Sequence, residues 1–187
     1  MLKMVIGSLK PLPDARALDV GCGEGKNAHA LAAIGYTVDA VDCSALAINN
    51  GKKSFSHDLI RWHLRNALDF HFHPESYDVV VAYGIFHCLD SGDELQSLIS
   101  KLKDSTKPGG INLVCAFNNG PHDLSAHPGF TPLLLPHSTY VDHYCDWRVM
   151  HATDTTLHET HPHNNIPHFH SLTRLIASKP YGARMPA

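Results

Sequence analysis

The chain has 187 residues, 43% hydrophobic and 18% charged, which fits one globular domain with a substantial core. Its formal net charge is −3 with neutral histidines, so no broad basic face offers itself to nucleic acid. No apolar run reaches the roughly 20 residues that a membrane span requires, and the first ten residues are too weakly patterned for a secretory leader.

In chain order, residues 2–9 read as the tail of a helix stopped by Pro11 and Pro13. Residues 17–20 form a first strand. Residues 26–34 have helical spacing, with Ala28, Leu31, Ala32 and Ile34 on one face and Gly35 as the C-terminal cap. Residues 37–41 form a second strand. Ser44 is the N-cap of a helix running to about residue 53. Residues 59–64 form a third strand, and the valine-rich residues 77–83 a buried parallel one. Residues 93–102 form an amphipathic helix through Leu95, Leu98, Ile99 and Leu102. The turn at 107–110 precedes a strand over 111–117. Residues 118–139 are a polar insertion with four prolines and three histidines. Residues 147–153 and 169–177 alternate as two closing strands, joined by a histidine-dense segment. No internal repeat is visible. Strands alternating with helices predict a three-layer α/β fold, a mostly parallel seven-stranded sheet closed by an antiparallel C-terminal hairpin.

Residues 17–25, Ala-Leu-Asp-Val-Gly-Cys-Gly-Glu-Gly, carry the most chemistry. An apolar strand ends beside an acid, and three alternating glycines follow. Asp42 then closes the second strand. Strand, glycine bend, helix, strand and acid is the layout of a nucleotide-binding βαβ unit. The glycines permit a sharp turn and close approach to a ligand. An acid at the end of the second strand can accept hydrogen bonds from both ribose hydroxyls. A tight turn in an unrelated α/β protein is the bland alternative. A dehydrogenase is the sharper one, but Asp19 directly before the bend would repel a pyrophosphate, and no second domain is present to hold a hydride-transfer substrate.

Together these residues resemble a class I S-adenosylmethionine-dependent methyltransferase. The matching pieces are 18–25, 41–44, Asn66-Ala67-Leu68, 77–81 and Pro108-Gly109-Gly110, all in the expected order. The nearest resemblance is to the small single-domain TehB-like, tellurite-resistance type. It implies one domain over 1–187, with a cofactor-binding core at 17–118 and a substrate-rim insertion and histidine-rich hairpin at 119–170. It implies S-adenosyl-L-methionine as cofactor. Asp19 would meet the amino end of the methionine, and Gly21 and Gly23, with Cys22 between them, would pass beneath the cofactor. Asp42 would hold the ribose, and Asn66 and the Ala67 backbone the adenine. Cys43 would cover the ring, and Tyr83 would border the sulfonium. Asn66 departs from the aspartate usual in the family, though its carbonyl still accepts. Family members also carry a longer N-terminal lid. Here about sixteen residues precede the first strand, leaving the site open, or covered by 118–139 or by the partner of a homodimer.

Sixteen histidines are abnormal, and they concentrate between His122 and His170. Ligands in this fold bind beyond the carboxyl ends of the parallel strands. Topology therefore places His87, His122, His127 and His137, and the hairpin's His161, His163, His168 and His170, around the transferable methyl group. His87 and His168 are the candidate bases for removing an acceptor proton. A divalent transition metal on His161, His163, His168 and His170 is the alternative, since His168 and His170 share one strand face and Glu159 is near. His29, His57, His63, His71 and His73 read as ordinary solvated or hydrogen-bonded histidines. The five cysteines form no CxxC pair, which indicates neither a disulfide framework nor a thiolate zinc site. Cys88 reads as a packed cysteine rather than a nucleophile. The expected function is methyl transfer to a small-molecule acceptor in the cytoplasm, without nucleic acid or membrane. The rivals are a metal- or metalloid-binding detoxification protein on the same fold, and a non-enzymatic binding module.

Overall fold

The computed structural model describes residues 1–160 and 165–181. The elements are α1 (Leu2–Val5), β1 (Arg16–Val20), α2 (Lys26–Ala32), β2 (Thr37–Asp42), α3 (Ala45–Ser54), β3 (Ile60–Leu64), β4 (Tyr77–Tyr83), α4 (Gly92–Ser105), β5 (Thr106–His122), α5 (His137–Asp142), β6 (Arg148–Thr160) and β7 (Pro167–Ser178). The strands form one sheet in the order β3-β2-β1-β4-β5-β7-β6. All neighbours are parallel except at β7, which runs antiparallel to both β5 and β6. Chain order reverses between β1 and β4, and this switch point opens a crevice at their carboxyl ends. The α/β architecture and its closing hairpin are those expected from the sequence.

Two apolar layers sandwich the sheet. One gathers Leu18, Val80, Val114 and Leu175 against the inner stripe of α4. The other gathers Ala17, Val38, Val79 and Leu113 against α2 and the N-terminal turn. β4 supplies both, because its valines alternate between faces while all being buried. The α4 stripe of Leu95, Leu98, Ile99 and Leu102 is fully buried, each side chain contributing about 1.5–3 kcal/mol of transfer free energy. The Ser91 hydroxyl caps that helix by accepting from the Glu94 amide at 3.2 Å, and Ser44 caps α3 through the Ala47 amide at 3.2 Å.

The structure departs from the sequence reading at the carboxyl edge. The turn expected at 107–110 is an irregularity inside β5: pairing with β4 jumps from Tyr77↔Thr106 to Val79↔Ile111. β5 also continues past residue 117 to His122, where it pairs with His170. β6 and β7 stay paired out to Thr160↔Pro167, longer than their alternation suggested. Ladder hydrogen bonds and β-branched residues such as Thr153, Thr155 and Thr156 sustain a strand where hydrophobic periodicity is weak. Residues 118–139 are not a detached flap. The Leu133 amide donates to the His87 carbonyl at 3.0 Å and the Asn119 amide to the Leu135 carbonyl at 3.0 Å. This segment leads into α5, whose Tyr140 is fully buried and donates to the Phe117 carbonyl at 3.0 Å.

Away from the crevice, buried Asp39 joins three elements. It accepts from Arg16 at 2.8 Å, pairs with His63 at 2.8 Å and accepts from the Tyr77 hydroxyl at 3.1 Å. Burial alone would raise its pKa, but the bonds from His63, Arg16 and Tyr77 outweigh it, and its pKa lies below the ordinary value. His63 is thus a structural histidine. A lowered native pKa stabilises the fold above the ordinary carboxylate pKa, and that contribution disappears as acid protonates the native carboxyl. Asp39→Ala should therefore cost about 1–3 kcal/mol at pH 7. In urea titrations, the gap between wild type and variant should close as the pH is lowered below 4, on the order of the ordinary carboxylate pKa.

Candidate functional site

The bend after β1 is held from β2. The amides of Gly21 and Cys22 donate to the Val41 carbonyl at 2.9 and 3.0 Å. The Gly23 amide donates to Asp42 Oδ2 at 2.7 Å, and the Ser44 amide to Asp42 Oδ1 at 2.8 Å. One carboxylate thereby fastens the bend and the start of α3 together. Gly21 has φ +67°, and a Cβ there would lie 2.7 Å from Ile85 Cβ. Gly25 has φ +79°, and a Cβ there would run into the Trp62 indole. Only glycine meets both the dihedral and the crowding at these two positions.

Two concavities meet at Gly21. The first, of about 300 Å³, is walled by Asp42, Cys43, Asn66, Ala67, Leu68 and Leu89. The second, of about 340 Å³, is walled by Gly23, Glu24, Asn27 and Tyr83. The first has apolar walls with an acid at its mouth, as a nucleoside requires. The second, lined also by Lys26, is the more polar of the two.

Asp19 sits fully buried beneath the bend. Its Oδ2 accepts from the Ala28 amide at 2.9 Å, and among the described residues its Oδ1 has no hydrogen-bond partner. Burial pushes its pKa up to about 7; the Ala28 amide opposes that shift and the Asp42 carboxylate adds to it. Burial likewise raises the Cys22 thiol, leaving it unreactive.

The structure brings Asp19, Gly21, Cys22, Gly23, Asp42, Cys43, Asn66, Ala67 and Tyr83 to one edge. Asn66 Oδ1 already accepts from the Leu68 amide at 2.9 Å, capping a short 3-10 turn. Tyr83 is 39% exposed at the end of β4. It is paired with Cys115, which is in turn paired with Arg174, so the three form a row across β4, β5 and β7. The wall formed by Ile85, Cys88, Leu89 and Glu94 was not anticipated. Its segment carries no motif and enters the site only because β4 ends beside β1.

The histidines divide. His87 is buried and stacks on Phe117, with ring centres 3.9 Å apart and planes within 4°. Its Nδ1 accepts from the Phe117 amide at 3.0 Å. Burial, reinforced by His170, His122 and His127, holds its pKa down at about 4. The neutral ring then carries its proton on Nε2, which leaves no lone pair for proton abstraction and ties His87 to the scaffold rather than to base catalysis. His170 stacks on the other side of Phe117 at 4.2 Å. His127, His168 and His170 converge, with ligand nitrogens all within 4.8 Å of one another. His168 Nε2 faces His127 and its Nδ1 contacts the Ile166 carbonyl, so both nitrogens are engaged within this cluster instead of being directed at the glycine bend. His161 and His163 lie outside the described residues.

A family model described as a methyltransferase domain matches residues 17–110. The chain belongs to the methyltransferase-domain family. Within it, the chain is of the TehB-like, S-adenosylmethionine-dependent type. It is 28% identical over 173 residues to the Haemophilus influenzae protein named "Probable S-adenosyl-L-methionine-dependent methyltransferase TehB", covering 86% of this chain and 56% of that one. It is also 28% identical over 158 residues to Hemagglutinin 1 of Eikenella corrodens, covering 79% and 51%. The chain thus spans about half the length of these curated relatives. The crystal structure of Haemophilus influenzae TehB superposes with a TM-score of 0.75 at 23% identity, covering 96% of this chain and 62% of that one. A methyltransferase from Methanosarcina mazei superposes at 0.74 with 19% identity, covering 95% and 98%. No helix among the described residues is long and apolar enough to cross a membrane.

The elevated Asp19 has a measurable signature in cofactor-free protein. The native state keeps its proton up to about pH 7 whereas the unfolded chain loses it near 4, so stability from this group is lost as the pH rises through that window. Between pH 5 and 7.5 the urea stability of wild type should fall relative to Asp19→Asn, by a few kcal/mol on the order expected from linkage. Equal pH slopes in the two proteins would contradict this account.

Proposed function

We propose that the chain transfers a methyl group from S-adenosyl-L-methionine to a small-molecule acceptor at the edge formed by the carboxyl ends of β4 and β5 and the amino end of β7. The observation that carries this reading is the pair of concavities joined at Gly21, with a buried acid on one side and a hydrogen-bonded acid on the other. When bound, S-adenosylmethionine supplies an electrophilic methyl group on a sulfonium.

The residues present fit that group. The spare lone pairs of Asp42 suit the ribose hydroxyls, because each of its oxygens has so far accepted a single backbone proton. Cys43, Leu68 and Leu89 give the adenine an apolar slot, and Asn66 and the Ala67 backbone supply its polar contacts. Asp19 Oδ1, buried without a described partner, suits the cationic amino end. A positive ligand there would restore the ionised form that burial disfavours.

The chain's further contribution is positional. Methyl transfer is an in-line displacement, so an acceptor must be aligned and water excluded. Tyr83 and Arg174 lie in one row beside the bend. The guanidinium is already oriented by a bond to Thr155 Oγ1 at 2.6 Å, which suits an acceptor bearing negative charge. Cys88 donates to the Gly84 carbonyl at 3.3 Å, and burial leads the causes that raise its thiol pKa, so it acts as wall rather than nucleophile.

Isothermal titration with S-adenosylhomocysteine tests the reading. Wild type should bind, and Asp42→Ala should bind weaker by on the order of 10²-fold, the loss expected for two hydrogen bonds to a charged group. No binding of S-adenosylmethionine or S-adenosylhomocysteine to wild type at millimolar concentration would overturn the reading. Unchanged affinity in the variant would overturn the ribose assignment.

A further inference from the structure

We propose that His127, His168 and His170 form a transition-metal site near the turn end of the β6–β7 hairpin, separate from the glycine-bend crevice and independent of methyl transfer. His127 Nε2 lies 3.3 Å from His168 Nε2 and 3.3 Å from His170 Nε2. Two nitrogens each about 2.0–2.1 Å from one ion in a tetrahedral array are separated by about 3.3–3.4 Å. Two of the three nitrogen pairs therefore already stand at ligand spacing, and all three nitrogens lie within 4.8 Å of one another.

The outer contacts select the tautomers that ligation needs. His168 Nδ1 is 2.8 Å from the Ile166 carbonyl, so it carries the proton and the lone pair resides on Nε2. His122 Nε2 is 2.7 Å from the Asn118 carbonyl and donates to it, which leaves His122 Nδ1 as an acceptor. His170 Nδ1 lies 3.3 Å from that acceptor and donates to it, which leaves the His170 lone pair on Nε2 as well. Two lone pairs thus point toward His127 Nε2 from rings whose side chains are 0% exposed. A cation held between the three rings would be met by a nitrogen from each of them. Donation of the second ring N–H to a carbonyl or a neighbouring ring is the usual outer support of a ligating histidine.

The site also has a counter-charge and an approach. Glu159 Oε1 stands 3.6 Å from His168 Nε2 and 3.7 Å from His170 Nε2. Asp123, Glu159 and His168 line an open concavity of about 410 Å³. Three imidazoles suit zinc, cobalt, nickel or copper rather than magnesium or calcium, which prefer oxygen. Three imidazoles from the described residues leave a fourth position for water, an anionic ligand or a further side chain.

The test titrates Co²⁺ into untagged, chelator-stripped full-length protein and follows the visible spectrum. The expected result is one tight Co²⁺ per chain with four-coordinate absorption, displaced by one equivalent of Zn²⁺. His127→Ala should weaken binding at least 100-fold, on the order of a lost ligand, and His122→Ala, which removes only the outer support, about 10–100-fold. His73→Ala, on an exposed residue elsewhere, should change nothing. Weak binding at several sites, or tight binding indifferent to both His127→Ala and His122→Ala, would overturn the proposal and leave a hydrogen-bonded imidazole cluster. S-adenosylhomocysteine titrated into the same stripped protein reports on methyl-donor binding separately, so either reading can fail alone.

Discussion

The carboxylate of Asp42 is the fastening on which the crevice depends. It accepts the Gly23 amide with one oxygen and the Ser44 amide with the other. The first bond fixes the bend after β1, and the second sets the start of α3. Both bonds are charge-assisted, and both lie at the carboxyl end of a parallel sheet, where strand ends leave unpaired backbone groups. The same carboxylate retains lone pairs toward the concavity walled by Cys43, Asn66 and Leu89. Under the proposed function, scaffold and ligand draw on one group, so a change at this position disturbs the shape of the site as well as its affinity.

A second constraint is the tension around Asp19. Placing a carboxyl in a fully buried position beneath the bend disfavours its charge, and the Ala28 amide, with a smaller contribution from the Asn27 side chain, does not cancel that cost. Such an arrangement is expected where a cationic ligand completes the site. The bend above Asp19 packs directly on Ile85, because any Cβ at Gly21 would collide with that side chain.

The histidine-rich half obeys different physics. β5 and β7 extend beyond the last residue of β4 and carry Phe117 and His170 into a stack with His87. The aromatic stack dries the region and fixes ring planes, and the backbone carbonyls of Asn118 and Ile166 then fix ring tautomers. Histidines that composition alone would leave solvated become a directed array, because strand pairing places His168 and His170 on one face and the loop after β5 supplies His127.

The sequence by itself determined the fold class, the parallel core and the cofactor edge. Each of these rests on short-range signals: valine-rich buried strands, the capping serine Ser44, alternating glycines and an acid at each of two strand ends. It also predicted the histidines at the carboxyl edge of the parallel strands, since chain topology decides which strand ends lie together. Only the tertiary structure decided which histidines meet. His127 is 41 residues from His168, and no periodicity encodes that approach. The lengths of β5, β6 and β7, the use of Tyr140 as core and the retirement of His87 to a scaffold role were likewise invisible. They depend on long-range pairing and burial, which compensate polar and aromatic residues at positions where local pattern reads as loop.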